Sequence, residues 1–154
     1  MIKRILDNDV FEAIKLMNKS TNDNDYKGYE RNESVWISYF LSLVQKQKES
    51  PHALVIGYYN DNKLKGFLSA STFNNYYNNE WIMDVKDCIV DKDNTTNGLI
   101  VRALFNKLME HIKKNGGKYW RADSVQDEEH ALKYGRFLEK HYNGRIQISV
   151  RGKI

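Results

Sequence analysis

Cysteine is almost absent from this chain. Cys88 is the only one, so no internal disulfide can form, and the composition suits a reducing compartment such as the cytoplasm. Proline occurs once, at Pro51, leaving a single obligatory break in regular structure. No run is long enough to span a bilayer: the longest uncharged apolar stretch, Val35 to Val44, is about half the required length. The opening residues MIKRILDNDVFEAIKL interrupt their apolar positions with charge and lack a small-residue cleavage site, so no secretory leader is expected. The histidines, His52, His111, His130 and His141, show no metal-ligand spacing, and no metal site is expected. No repeat of solenoid length is visible. The expectation is a cytoplasmic protein with no membrane partner. Its 154 residues suffice for one domain, 1–154, with its own core.

Charge is present and uneven. Residues 1–101 carry 12 Lys/Arg against 14 Asp/Glu, whereas residues 102–154 carry 12 against 6. A basic half fits nucleic acid, an acidic ligand or a phosphate-rich cofactor. It also fits a solvated helix face, where Lys107, Lys113 and Lys114 would be ordinary. A nucleic-acid surface would require Lys113, Lys114, Lys118, Arg121, Lys133, Arg136 and Lys140 to converge.

Periodicity sets the element order. Ile2 to Leu6 alternates as a short strand, and Asp7, Asn8 and Asp9 offer N-caps for a helix from Val10 to about Asn18. Residues 19–33 are polar and aperiodic, a long loop. Ser34 is the expected cap of a second helix reaching about Lys48, with Trp36, Phe40, Leu43 and Val44 inward. Beyond Pro51, residues 53–59 and 64–71 form a hairpin about the Asn60-Asp61-Asn62 turn. An Asn-rich loop, 74–79, leads to a strand over 81–90, half-buried because Trp81, Met83 and Val85 alternate with Ile82, Asp84 and Lys86. A helix over 98–114 stops at Asn115-Gly116-Gly117. A strand over 118–125, a helix over 127–141 with Ala131, Tyr134, Phe137 and Leu138 inward, and an alternating strand over 145–150 follow. The order β-α-α-β-β-β-α-β-α-β implies an α/β (α+β) fold. It has a mixed sheet of about six strands, antiparallel first and parallel across the crossover, with two helices on each face. The strands flanking the crossover are expected to splay, opening a cleft at Val90 and Val125.

The most informative stretch is the strand-turn-helix over residues 80–104. Its turn, Asp91 to Gly98, holds no bulky apolar side chain, and Leu99, Ile100, Ala103, Leu104, Leu108 and Ile112 then repeat at helical spacing. Such a junction aims free N–H groups and a positive dipole end at one point, the arrangement that holds a phosphate. Most such turns bind nothing, so both readings stand on these residues alone.

The element order and this junction resemble the GNAT superfamily of acetyl-CoA-dependent N-acyltransferases. The likeness spans the chain in element order and residues 84–142 in motif. The resemblance implies acetyl transfer from acetyl-CoA to a primary amine on a small molecule or protein. The family's pyrophosphate loop, Gln/Arg-x-x-Gly-x-Gly/Ala, maps onto Thr95, Thr96, Asn97, Gly98, Leu99 and Ile100. Only Gly98 is retained. Thr95 replaces the Gln/Arg, and Ile100 puts a β-branched side chain where the family keeps a small residue against the ligand. Ile89 and Val90 fall on the strand end that faces pantetheine. Asp84, eleven residues before Thr95, takes the position of the carboxylate that deprotonates the amine. Tyr134, one residue early in a pattern resembling Asn-x-x-Ala-x-x-x-Tyr, takes that of the acid that protonates the thiolate. The family's seventh strand has no counterpart, so a homodimer through the C-terminal strand edge is one expectation. Two other readings keep the fold but not the chemistry: a cofactor-less binding or structural protein, and a nucleic-acid binder using the basic half.

Overall fold

The computed structural model describes residues 1–21, 32–74, 80–91, 97–123 and 128–146. The chain divides into two compact units, Met1–Asn22 with Asn32–Asp123, and Asp23–Arg31 with Ser124–Ile154.

The first unit holds β1 (Ile2–Arg4), a 3-10 turn (Asp7–Asp9), α1 (Val10–Thr21), α2 (Glu33–Glu49), β2 (Ala53–Asn60), β3 (Lys63–Asn74), β4 (Trp81–Val90), α3 (Asn97–Lys114) and β5 (Tyr119–Ala122). The sheet runs in chain order, β1-β2-β3-β4-β5. Its first three pairings are antiparallel and the last, β4 with β5 across the α3 crossover, is parallel. The mixed sheet and the adjacency of the strands flanking the crossover are as the sequence implies. The β2–β3 hairpin turns through Asp61 (φ 49°) and Asn62 (φ 60°), the left-handed pair that matches strand twist and that Asp and Asn tolerate.

Adjacent residues of β3 face opposite layers. Phe67 packs on Phe40 of α2 (ring centroids 5.4 Å, edge-on), within a cluster that also includes Val10, Ala13 and Met17 of α1. An added Cβ at Gly66 would instead lie 2.8 Å from Ile100 Cγ2 on α3. Helices α1 and α2 therefore cover one face and α3 the other. β4 is buried from both sides at Met83, Asp84 and Val85, which corrects the half-buried reading. Alternation of polarity along β4 marks two different covered faces, since Asp84 finds ionic partners in place of solvent.

Helix ends differ from the sequence reading in one instructive case. The α2 cap is Asn32, not Ser34: Asn32 Oδ1 accepts from the Val35 N–H (3.2 Å), and Ser34 Oγ donates to that same oxygen (2.7 Å). A cap needs an extended backbone, which Asn32 has (φ −87°, ψ 98°), whereas Ser34 already lies inside the helix. The α3 stop forms where expected. Gly116 adopts φ 75°, and the Gly117 N–H reaches the Ile112 carbonyl (2.9 Å) in a Schellman arrangement.

In the second unit, α4 (Glu128–Tyr142) buries Leu138 and half-buries Ala131, Tyr134 and Phe137, the inward set the periodicity gives. Phe137 meets His141 at a tilt and Tyr142 edge-on, and the Ile146 N–H donates to Glu139 Oε1 (3.2 Å). Arg145 and Ile146 are not in a strand, and the rest of the expected sixth strand, 147–150, lies outside the described residues, as does its edge. The sheet therefore counts five strands among the described residues.

Two glycines should separate turn geometry from packing. A Cβ at Gly117 would sit 2.1 Å from Trp81 Cη2, whereas a Cβ at Gly98 meets nothing within 4 Å. Gly117→Ala should cost about 1–3 kcal/mol through overpacking, and Gly98→Ala should be neutral or mildly stabilising. Urea denaturation of both variants checks this, and equal midpoints would refute it.

Candidate active site

The site is organised by an irregularity in β4. Against β3, Ser69 pairs with Asp87 but Ala70 pairs with Val85, so Lys86 is an extra residue, a β-bulge. Against β5, the ladder runs only from Ile82↔Tyr119 to Val85↔Ala122. That is the end of the ladder among the described residues, and residues 124–127 lie outside them. The Asp91 N–H donates to the Lys65 carbonyl (2.8 Å), so strand alternation turns the main-chain groups of Cys88 and Val90 toward the β5 side. The far side of the expected splay, at Val125, lies outside the described residues.

The bulge also sets which side chains meet. Ser69 and Ser71 share one face of β3, so their partners Asp87 and Asp84, three residues apart, share the matching face of β4. That face lies under α2. Asp87 accepts from Ser69 Oγ (2.5 Å) and from Trp36 Nε1 (3.2 Å), and Tyr39 Oη lies 3.1 Å from Ser71 Oγ. Asp84 is 3% exposed. Arg121, its direct neighbour across the parallel ladder, grips it in a fork, Nε to Oδ1 and Nη2 to Oδ2, both 2.9 Å. Lys86 Nζ also donates to Oδ2. The guanidinium lies 4.7 Å from the Phe73 ring centroid, a cation–π contact. The hydrogen bond to Asp84 holds the Arg121 pKa above its ordinary value, with partial burial opposing. Asp84 is thus a buried carboxylate whose charge Arg121 and Lys86 compensate.

At the end of β4, Asp91 is 8% exposed and carries two cations, Lys19 Nζ at 2.8 Å and Lys65 Nζ at 3.5 Å. Ser20 Oγ donates to the Val90 carbonyl (3.3 Å), tying the end of α1 to the same corner. Helix α3 then opens at Asn97 with no acidic residue in its first turn. Gly98 and Leu99 are exposed. Ile100 is 1% exposed and packs inward toward Gly66 and Val90. The β-branched side chain therefore does not stand over the helix end, contrary to the sequence expectation. Helical spacing turns position 100 under the helix while 98 and 99 face out. The first turn of α3 thus offers open backbone beside Gly98, a positive dipole end, and a corner where two lysines share one carboxylate.

Among the sequence-predicted residues, Asp84, Ile89, Val90, Asn97, Gly98, Leu99 and Ile100 lie in the first unit, along β4 and the start of α3. Thr95 and Thr96 lie outside the described residues. Tyr134 is half-buried on α4, in the second unit. The sequence reading missed Asp87, Trp36, Ser69 and the Arg121–Asp84 pairing. A bulge cannot be seen in alternation alone, and without it Asp87 reads as facing the other layer. Of the basic set that a nucleic-acid surface would need, Arg121 is engaged by Asp84 and Lys118 by Glu80 (2.6 Å).

Comparison with solved structures identifies the architecture. The aminoglycoside 6′-N-acetyltransferase AAC(6′)-IG from Acinetobacter haemolyticus superposes with TM-score 0.73 at 16% identity, covering 100% of this chain and 98% of that one. A ribosomal-protein-alanine N-acetyltransferase from Brucella melitensis biovar Abortus 2308 gives 0.70 at 16% identity, covering 100% and 99%. AAC(6′)-Iy, in complex with the bisubstrate analogue CoA-S-monomethyl-acetylneamine, gives 0.71 at 13% identity, covering 100% and 98%. No protein-family model matches the chain, and no curated protein matches it. The fold is that of the GNAT acetyltransferases.

The Asp84–Arg121 pair should be energetically lopsided. The Arg121 side chain is 49% exposed and can fall back on water, whereas that of Asp84 is 4% exposed and cannot. Arg121→Met should cost about 1–3 kcal/mol and more than Asp84→Asn, because it leaves a buried carboxylate short of donors. Chemical denaturation of the two variants decides it, and a costlier Asp84→Asn would reverse the account.

Proposed function

We propose that this protein is an N-acetyltransferase that moves an acetyl group from acetyl-CoA to a primary amine. The observation that carries the reading is the conjunction at one corner of the first unit. There the carboxyl end of β4, with Ile89 and Val90, is followed at Asn97 by a helix start whose backbone is open at Gly98. GNAT neighbours support it, among them one bound to a CoA-derived bisubstrate analogue. The residues fit the cofactor: Asn97, Gly98 and Leu99 would meet the pyrophosphate, with Thr95 and Thr96 from the preceding turn. Ile89 and Val90 would lie beside pantetheine, and Lys19 and Lys65 add positive potential. When bound, acetyl-CoA supplies the activated acetyl thioester.

The acceptor amine enters from the α2 side, where Asp84 and Asp87 supply negative charge and Trp36, Tyr39 and Phe73 supply aromatic surface. Asp84 is assigned the proton of the attacking ammonium, and Tyr134 the protonation of the departing thiolate. For Asp84 the partners impose a condition. Arg121 and Lys86 already compensate its charge, so taking a proton requires one of them to move aside. Lys86, on the bulge and held by one contact where Arg121 has a fork and a ring contact, is the freer of the two.

Thermal shift with acetyl-CoA tests the cofactor assignment. Ligand at about 100 times its Kd should stabilise the fold by roughly 2.7 kcal/mol. Gly98→Glu should abolish that gain without unfolding the protein, since its Cβ meets open space. Equal shifts in both proteins would place the cofactor elsewhere.

Steady-state kinetics test the chemistry. Asp84→Asn and Tyr134→Phe should each lower kcat by about 10²–10⁴-fold with little change in KM, the signature of a lost acid or base. If Asp84→Asn raises KM and spares kcat, Asp84 holds the ammonium and does not take its proton.

A further inference from the structure

Two hollows of the first unit lie at the far end of α3 from Gly98. One, of about 280 Å³, is lined by Arg4, Lys48, Pro51, His111, Lys114 and Asn115 among others. A second, of about 220 Å³, adjoins it through Arg4, His111 and Lys114, and adds Lys3, Lys107 and the apolar Ile56. Five Lys/Arg line the two hollows against Glu49 and Glu110, a formal excess of +3 with His111 neutral.

Most of these charges are spent locally. Lys48 pairs with Asp7 (2.7 Å), Lys107 with Glu110 (2.7 Å), and Lys3 lies 3.6 Å from Asp9. Arg4 and Lys114 have no carboxylate partner among the described residues, and they face the same hollow from β1 and from α3. Arg4 is preset. Its Nη1 donates to the Gln47 carbonyl (3.1 Å), and Gln47 is fixed in turn by its 2% exposed side chain. That side chain donates to the Ile5 carbonyl (2.7 Å) and accepts from the Val55 N–H (2.9 Å). The ends of α2 and α3 would repel an anion through their carbonyls, and several of those groups are already taken up by donors. Ser50 covers Lys46, Arg4 covers Gln47, Gly116 covers Lys113, and Asn115 Nδ2 covers His111.

We propose that this hollow is a second ligand site, taking a phosphate-class oxyanion on the Arg4 fork and the Lys114 ammonium. A planar guanidinium with donors in fixed positions suits two oxygens of one tetrahedral anion, and Lys114 adds a point charge opposite. The site is separate from the acetyl-transfer corner. At 1.5 Å rise per residue, Lys114 stands about 24 Å along α3 from Gly98. It does not depend on acetyl transfer being the activity.

Isothermal titration of the full chain with inorganic phosphate tests it, with 5′-AMP and a short single-stranded oligonucleotide as parallel arms. Saturable one-to-one phosphate binding with millimolar or tighter Kd is expected. Arg4→Gln and Lys114→Gln should each weaken it by about tenfold, the loss of one charge-assisted contact. Gly98→Glu should leave phosphate affinity unchanged. Tighter binding of 5′-AMP would identify a nucleotide as the source of the phosphate, and equal binding a free anion. Absence of phosphate binding by the wild type overturns the proposal. So does affinity that survives both substitutions, or that Gly98→Glu removes. Oligonucleotide binding without phosphate binding also overturns it, in favour of an extended nucleic-acid surface.

Discussion

The structure depends on β4 having two edges of opposite kind. Along β3 it is paired antiparallel over its whole length, from Trp81↔Asn74 to Val90↔Gly66, with one bulge. Along β5 the pairing is parallel, and among the described residues it covers Ile82 to Val85. A parallel neighbour can be reached only by a crossover, here α3, which must start where β4 ends. The same constraint sets the helix start at Asn97 just after the carboxyl end of β4. Strand end and helix start are one geometric event, and the proposed cofactor site is its product.

Charge on the covered faces follows a consistent rule. Each buried or half-buried carboxylate on β4 or just after it has donors fixed by secondary structure. Asp84 has Arg121 across the ladder, Asp87 has Ser69 across the other ladder and Trp36 from α2, and Asp91 has Lys19 from α1 and Lys65 from β3. Burying an ionised group costs several kcal/mol unless it is paired and hydrogen-bonded. These pairings are therefore conditions for the sheet to close around β4 as well as sources of reactivity.

The sequence carried the architecture well because the elements are strongly punctuated. Asn-Asp-Asn, Asn-Gly-Gly and the single proline mark boundaries that periodicity alone leaves loose. All the strand and helix segments in the described residues appear within a few residues of their expected bounds. The site was less legible. Asp84 and Gly98 could be placed by spacing, but their surroundings could not. Arg121 reads as one more basic residue until the parallel register brings it beside Asp84. Ile100 reads as an obstruction until the helix phase turns it under α3. Gln47 reads as a polar helix residue, yet it is buried to join Ile5 and Val55. In each case the missing quantity is relative register between distant segments, which local pattern does not encode.

Lys86 decides the parity of β4. A regular strand shows alternate residues to alternate layers, so positions 84 and 87 belong on opposite sides by counting. The extra residue makes both even with respect to α2. In genetic terms, an in-frame loss of codon 86 alone would make Ser69↔Asp87 and Ala70↔Val85 successive pairs of a regular ladder, removing the bulge while every side chain keeps its layer. Loss of codons 85 and 86 together would make Asp84 and Asp87 neighbours, and one of them would have to turn to the opposite layer. The geometry of the cleft is thus protected less by the identity of its polar residues than by the count of residues between them.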